Sequence, residues 1–379
     1  MAKDSCSEIL DRAYRRAEAK LRKSFISDAK ITDKIAMVAL CAGNRAGARF
    51  LLAATLAKVD KPDIDIRKPF IQAYDEELRY GAYGGRSYDE QYVFDFIAKH
   101  GLPCSPTTAF LTPAFRTKSI VLNLDQTLRG RPAQLYRAIL EILDAIQREK
   151  LSAMDVLCEL IRRLIIERDE RQARLESLKK GLREESDELP LSSEETVRLI
   201  EQHLSLKHSS RLPVLVVAAA YRCASEKLRE KVLRLNAHTA ADSQTGALGD
   251  VEITLADDDK VVTTYEIKDK PVAIADIERA VQKIAHRTEV QNYIFVSTAP
   301  VDPAVREFAY QQYRELGGIE IALVDCVGFL RHFLHLFHRL RTNFLDEYQE
   351  LVLSQPESGV NQALKEAFLA LRRATQAGE

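Results

Sequence analysis

The chain has 379 residues, which is too long for one ordinary hydrophobic core, so we expect two domains. Its 55 basic and 56 acidic residues nearly cancel, which neither supports nor excludes DNA as a partner, because DNA binding needs only a local basic surface. No stretch reaches the roughly 18 apolar residues of a membrane span, and no export signal opens the sequence.

The six cysteines are scattered without a C-x-x-C pair. We therefore expect reduced thiols, no structural zinc and a cytoplasmic protein.

Helical patterns dominate the first half of the chain. A glycine-rich, aromatic and basic loop at 81–88 interrupts them, and Ser87 is predicted to cap the helix that follows, with Glu90 three residues on. Residues 184–193 are polar, contain a proline and form the best candidate linker. This organisation predicts an α-helical domain at 1–186 and a second domain at 187–379. Apolar periodicity predicts helices over 5–24, 31–58, 70–80, 88–100, 132–148 and 151–183, with a proline-containing loop at 101–118.

After residue 193 strands appear between the helices. Their predicted order is typical of an α/β domain with a mixed sheet flanked by helices: strand, strand, helix, strand, helix, strand. Gly317 and Gly318 are predicted to close the helix before the last strand. The pattern predicts helices at 194–207, 212–229, 274–287 and 302–316, a long helix from near 327, and strands at 250–256, 260–268, 292–298 and 319–325.

The most informative residues lie on the first two of these strands. Asp250 begins one strand, and Glu266 and Lys268 lie on the next, with an acidic turn at 257–259 between them. Residues two apart in a strand share a face, so Glu266 and Lys268 should project together. Asp250 should join them at the end of the hairpin.

Such a cluster suits hydrolysis of a phosphodiester. Two carboxylates can bind Mg²⁺, with water and a phosphate oxygen filling the remaining positions, and the metal lowers the pKa of its bound water. Lys268 could position or deprotonate that water, or bind the phosphate. The alternative is a solvent-facing hairpin with alternating charges. Glu252 shares the face of Asp250, and we interpret it as a solvated residue rather than a ligand.

This arrangement resembles the PD-(D/E)xK nuclease superfamily, in which an acid starts one strand and D/E-x-K follows on the next. Asp250 matches the first acid, residues 266–268 match the second motif, and Gly249 departs from the proline of the family name. The resemblance covers roughly 190–330 and implies a restriction-endonuclease-like sheet, Mg²⁺ as cofactor, and Asp250, Glu266 and Lys268 as catalytic residues. It also implies a further carboxylate ligand from an upstream helix, Glu195 or Glu201, and Gln282 facing the site.

Segments of the N-terminal half, at 44–49, 86–90 and 103–116, resemble SacI-type restriction endonucleases. This likeness implies a type II enzyme that cuts double-stranded DNA at a short palindromic site as a homodimer. A cognate DNA methyltransferase would be a separate protein of the same system.

Several basic residues are candidate DNA contacts, because arginine can bind phosphates or read guanine bidentately. Thr107 and Thr108 offer further donors, and Tyr80 and Tyr83 border the glycine-rich loop. The alternative is that these arginines are solvated or paired with acids. The candidates are Arg45, Arg49, Arg86, Arg116, Lys118 and Lys270.

Two other functions remain open at this point. One keeps the nuclease chemistry but changes the task to nicking, repair or the cutting of modified DNA. The other is a DNA-binding or assembly protein whose nuclease-like core is inactive.

Overall fold

The computed structural model describes residues 5–70, 79–116, 120–184, 190–233, 235, 247–287 and 289–377. They fall into two compact units, Met1–Ala173 and Arg174–Glu379, and the boundary lies inside the helix Ala153–Glu184. Residues 71–78 of the helix predicted at 70–80 and residues 185–189 of the predicted linker lie outside the described residues. Within the described ranges, every helix is too short or too polar to cross a membrane.

The first unit is helical, as predicted. Its core surrounds α3, whose residues from Ala46 to Ala57 are buried on all sides. The helix predicted at 31–58 is two helices, because the backbone of Cys41 turns to an extended conformation with ψ of 98°. The helices are α1 (Cys6–Glu18), α2 (Ala29–Leu40), α3 (Ala46–Asp60), α4 (Gly85–Tyr88), α5 (Phe94–His100), α6 (Ala133–Gln147) and α7 (Ala153–Glu184).

The predicted cap at Ser87 is wrong. Ser87 lies inside α4, which begins at Gly85, and a π-helical turn over Asp89–Val93 joins α4 to α5. A side chain at Gly85 would approach Phe110 to 2.7 Å, so close packing fixes the start of this helix where the sequence shows a flexible loop.

The second unit contains a five-stranded mixed sheet, which confirms the predicted α/β pattern. Strand order follows the chain; β1–β2 and β2–β3 pair antiparallel, and β3–β4 and β4–β5 pair parallel. The first strand was not predicted, because three residues are too few to show an alternating pattern. The strands are β1 (Glu230–Val232), β2 (Val251–Leu255), β3 (Val261–Lys268), β4 (Asn292–Ser297) and β5 (Glu320–Asp325).

Helices cover both faces of this sheet. Tyr265 and Val296 pack into one hydrophobic core, and Tyr293 and Phe295 pack into the other with Ile277. The long helix predicted from near 327 is interrupted by a 3₁₀ turn at His338–Leu340. The helices are α8 (Ser193–Leu204), α9 (Leu212–Leu228), α10 (Ile274–Ile284), α11 (Pro303–Glu315), α12 (Cys326–Leu336), α13 (Arg341–Ser354) and α14 (Gln362–Gln376).

Candidate active site

The β2–β3 hairpin holds Asp250 against the backbone of β3. The Asp250 amide donates to the Tyr265 carbonyl at 2.8 Å, and Asp250 Oδ2 accepts a hydrogen bond from the Ile267 amide at 2.8 Å. Because Ile267 lies between Glu266 and Lys268 in the strand, these two bonds bring the carboxylate of Asp250 to the segment that carries the other two predicted residues.

Glu266 and Lys268 share one face of β3, as their spacing predicts. Lys268 Nζ donates to Glu266 Oε1 at 3.0 Å, and the two side chains are 27% and 16% exposed. They are therefore partly shielded but reachable from solvent. The structure pairs Glu266 with Lys268 and bonds Asp250 to the amide of the residue between them, while the catalytic roles of all three stay predictions.

Close packing accounts for the glycine at position 249, where the PD-(D/E)xK motif has proline. A Cβ atom at this position would lie 2.5 Å from Thr264 Cγ2 and 2.6 Å from the Tyr265 carbonyl oxygen. Since the second obstacle is backbone, it cannot turn aside as a flexible side chain would. Glycine therefore lets the chain approach β3 closely enough for the bonds that Asp250 makes.

A second layer of contacts surrounds the other oxygen of Glu266. Tyr293 on β4 lies with its hydroxyl 3.0 Å from Glu266 Oε2 and 3.0 Å from the Leu248 carbonyl oxygen. Lys283 Nζ on α10 lies 3.4 Å from the same carboxylate oxygen and 3.5 Å from the same carbonyl. These donors connect Glu266 to the segment that leads into Asp250.

Neither of these donors is part of the predicted site. The resemblance implies Gln282 as the α10 residue facing the site, but Gln282 is exposed, and the neighbouring Lys283 makes the contact. The buried positions Ile277, Ala280 and Ile284 fix the inward face of α10, and Lys283 lies at its border. That periodicity was visible in the sequence, whereas nothing in it indicated the partner of the Tyr293 hydroxyl.

Opposing effects act on the ammonium group of Lys268. Burial disfavours its charged form, but the hydrogen bond to Glu266 and the charges of Glu266 and Asp276 outweigh burial, so the pKa of Lys268 is raised. Asp276 Oδ1 lies 3.5 Å from Lys268 Nζ. Lys268 is therefore a charged donor in this structure.

Arg211 adds a buried positive charge near Asp250. Its side chain is 4% exposed, and Nε donates to Gln355 Oε1 at 3.4 Å. Burial lowers the pKa of Arg211, and the charge of Asp250 opposes that effect. Arg211 is not predictable from the sequence, because the α8–α9 connection that carries it shows no motif.

The two predicted upstream glutamates differ in their surroundings. Glu195 accepts a hydrogen bond from the Ser192 amide at 2.7 Å and so completes the N-cap of α8. Glu201 lines a cavity of about 610 Å³, together with Asp269 and Ser297 among others. Glu252, interpreted as solvated, is half-buried and accepts from the Leu248 amide at 2.8 Å.

The donors present fit Mg²⁺, which is commonly bound by one or two carboxylates with water completing the shell. Asp250 and Glu266 are the carboxylates that could hold such an ion, and this assignment stays a prediction. In the part of the chain that the structure describes, no group of three or more acidic, histidine or cysteine side chains is placed to hold a metal. A third protein carboxylate from Glu201 therefore stays a prediction.

Two of the arginines predicted to contact DNA are engaged inside the first unit. Arg49 is 2% exposed; its Nε donates to Asp89 Oδ1 at 2.7 Å, and a second nitrogen donates to the Ser105 carbonyl at 2.8 Å. The expectation that Arg49 binds DNA is corrected, because its guanidinium is buried and paired. Arg45 is 12% exposed and bonds to Glu167 at 3.3 Å.

Three of the other basic candidates for DNA contacts are exposed to solvent, unlike Arg45 and Arg49. Arg86 is 56% exposed and lies 2.7 Å from Glu90, while Arg116 and Lys270 are exposed. Lys118 lies outside the described residues. The three exposed side chains are accessible to a DNA backbone.

Residues 189–298 match the family of the SacI restriction endonuclease C-terminal domain. The matched range contains Asp250, Glu266 and Lys268 and supports a restriction-type nuclease, which is a hydrolase that acts on DNA. No curated protein matches the chain.

Proposed function

We propose that this protein is a type II restriction endonuclease of the PD-(D/E)xK kind, which hydrolyses both strands of DNA at a short palindromic site with Mg²⁺. One observation carries the proposal: Asp250 Oδ2 accepts from the Ile267 amide, and the residues on either side of Ile267, Glu266 and Lys268, form an ion pair, all inside the region that matches a restriction endonuclease domain. The acidic and lysine side chains of this site are those that the superfamily motif uses for metal-dependent phosphodiester hydrolysis.

In this proposal each residue of the site has a separate task. Asp250 and Glu266 would hold Mg²⁺, which when bound lowers the pKa of a water ligand and offsets charge on the phosphate. Lys268, 3.0 Å from Glu266, would orient the attacking water or bind a phosphate oxygen. A water oxygen forms the new bond to phosphorus while the opposite phosphorus–oxygen bond breaks and its electron pair leaves with the departing oxygen. The attacking water gives up a proton to solvent, and the departing oxygen takes up a proton from solvent.

Exposed cations would bind the duplex. Arg86, Arg116 and Lys270 are accessible to phosphates or to base edges. A palindromic site presents the same sequence to two active sites, so we propose a two-fold homodimer. A cognate methyltransferase would protect the host site as a separate protein.

Plasmid DNA incubated with the protein and Mg²⁺ tests this function. Discrete fragments with uniform ends are the expected result. Nicked circles or a smear would contradict restriction and indicate another nuclease activity, such as nicking or repair. DNA binding without cleavage would contradict the assignment as an enzyme. Lys268→Ala, which should fold and bind DNA but not cut it, controls for a contaminating nuclease.

A further inference from the structure

We propose that Tyr293 and Lys283 are positioning residues, which hold the Glu266 carboxylate and the hairpin base in the geometry that binds the metal. This inference rests on the proposed function, since it concerns the same metal site. It adds two residues, from β4 and α10, that the superfamily motif does not contain.

The geometry gives each donor the same two partners. Tyr293 hydroxyl and Lys283 Nζ both contact Glu266 Oε2, at 3.0 and 3.4 Å, and both contact the Leu248 carbonyl oxygen, at 3.0 and 3.5 Å. Glu266 carries one candidate ligand group, and Leu248 lies two residues before Asp250, which carries the other. The two donors therefore tie the Glu266 carboxylate to the backbone segment that leads into Asp250.

The Tyr293 hydroxyl is better explained by this task than by core packing. The residue is 1% exposed, and its ring packs against Phe295 with ring centres 5.3 Å apart. A phenylalanine would fill the same space, whereas a buried hydroxyl costs free energy unless it finds partners. Its partners here are Glu266 and Leu248, both at the candidate site.

Anchoring one oxygen of Glu266 orients the other. With Oε2 held by Tyr293 and Lys283, the carboxylate cannot rotate freely, and Oε1 stays on the side of Lys268. Groups that hold a metal ligand in place typically change metal affinity or activity by about 10–100-fold when they are removed.

Tyr293→Phe removes the hydroxyl and keeps the ring. We expect the dissociation constant for Mn²⁺, measured on the full chain without DNA by electron paramagnetic resonance, to rise about tenfold. The Mg²⁺ concentration that half-saturates cleavage should rise in parallel, and the melting temperature should change little. Tyr221→Phe is the matched control: it removes a hydroxyl that lies 2.7 Å from the Tyr265 hydroxyl in the same unit, and its Mn²⁺ affinity should equal that of the wild type.

Lys283→Met provides a second test, in which the direction of the change in the Mn²⁺ dissociation constant distinguishes two explanations. Removing a positive charge near the site would, by charge alone, tighten cation binding. If Lys283 positions Glu266, the dissociation constant for Mn²⁺ should instead rise, by about threefold or more. A fall or no change would overturn its positioning role, and this variant stays informative if Tyr293→Phe does not fold.

The outcomes separate this inference from the proposed function. A wild-type protein that neither binds Mn²⁺ nor cleaves DNA with Mg²⁺ overturns the proposed function. A wild type that does both, with an unchanged Mn²⁺ dissociation constant in Tyr293→Phe, overturns only the positioning role. An equal rise in Tyr221→Phe would likewise assign the effect to general loss of packing and overturn the inference.

Discussion

Lys268 Nζ lies 3.0 Å from Glu266 Oε1 and 3.5 Å from Asp276 Oδ1, so one ammonium group is bound by two carboxylates. Lys268→Ala should lower the single-turnover cleavage rate by about 10²-fold or more, because it removes a charged donor aimed at the site of developing charge. DNA affinity without a divalent ion should change little. Rate and affinity are measured on the same preparation, by gel-resolved cleavage and by fluorescence anisotropy.

Lys260→Ala is the matched control for this substitution. Lys260 is exposed in the β2–β3 turn, on the same hairpin but away from Glu266. The Lys260→Ala variant should cleave DNA at the wild-type rate. Full cleavage by Lys268→Ala, or equal losses in both variants, would contradict the role assigned to Lys268.

Asp250→Asn separates the charge of Asp250 from its hydrogen bond. The amide keeps an oxygen that can accept from the Ile267 amide, which now donates to Asp250 Oδ2 at 2.8 Å, so the hairpin should stay folded. Loss of the negative charge should raise the Mg²⁺ requirement and slow cleavage by about 10²-fold. A Mg²⁺ titration of the cleavage rate measures both effects. Asp257→Asn, at a position 87% exposed in the turn, is the control and should behave as wild type.

Gly249→Ala tests the close approach of the hairpin base to β3. The added methyl group would meet Thr264 Cγ2 at 2.5 Å and the Tyr265 carbonyl oxygen at 2.6 Å, so the strand must shift. We expect the free energy of unfolding to fall by about 1–3 kcal/mol, with reduced cleavage because Asp250 moves with its neighbour. Gly43→Ala, where the new methyl group meets nothing within 4 Å, should leave both quantities unchanged. Equal stability of the two variants in urea unfolding would disprove the steric argument.

Local chemistry made much of the second unit predictable. Alternation and β-branched residues predicted β2 to β5, and spacing of two predicted that Glu266 and Lys268 share a face. The capping pattern of Ser192 and Glu195 likewise marks the start of α8. Each of these features depends on residues close together in the chain, which is why the sequence alone could show them.

Long-range packing produced the features that could not be predicted. The residues that contact the Tyr293 hydroxyl lie on β3 and in the segment before β2. Both are far from residue 293 in the sequence, so no local pattern predicts these contacts. Arg49 carries the same charge as Arg86, yet one is buried against Asp89 and the other is exposed. Only the placement of α3 in the core of its unit decides which arginine remains accessible to DNA.

Arg86 and Arg49 should therefore differ in their effect on DNA binding. Arg86→Ala should lower the slope of log affinity against log salt concentration by about 0.9, as expected for one lost phosphate contact. Arg49→Met should leave that slope unchanged, but breaking its buried pair with Asp89 should cost about 3–5 kcal/mol of stability. Anisotropy titrations at several salt concentrations, combined with urea unfolding, measure the two effects. An unchanged slope in Arg86→Ala would remove Arg86 from the DNA interface.

His203 should make the second unit sensitive to acid. It is fully buried; Nε2 donates to the Leu364 carbonyl at 3.0 Å, and the Tyr348 hydroxyl donates to Nδ1 at 3.0 Å. Burial lowers the pKa of His203 from 6.5 to about 4, while the bond to Leu364 acts in the opposite direction. Between these two values the unfolded chain binds a proton that the folded chain does not, so the stabilising effect is complete above pH 6.5 and is lost as the pH falls towards 4.

The expected loss over this interval is about 3 kcal/mol in the free energy of unfolding, because one pKa unit corresponds to about 1.4 kcal/mol. Urea unfolding of the wild type at several pH values between 7 and 4 measures it. Gln at position 203 can offer a donor and an acceptor without titrating, so His203→Gln should lose this component of the pH dependence. If the wild type and His203→Gln show the same dependence, the proton is taken up elsewhere and His203 is not the acid-sensitive group.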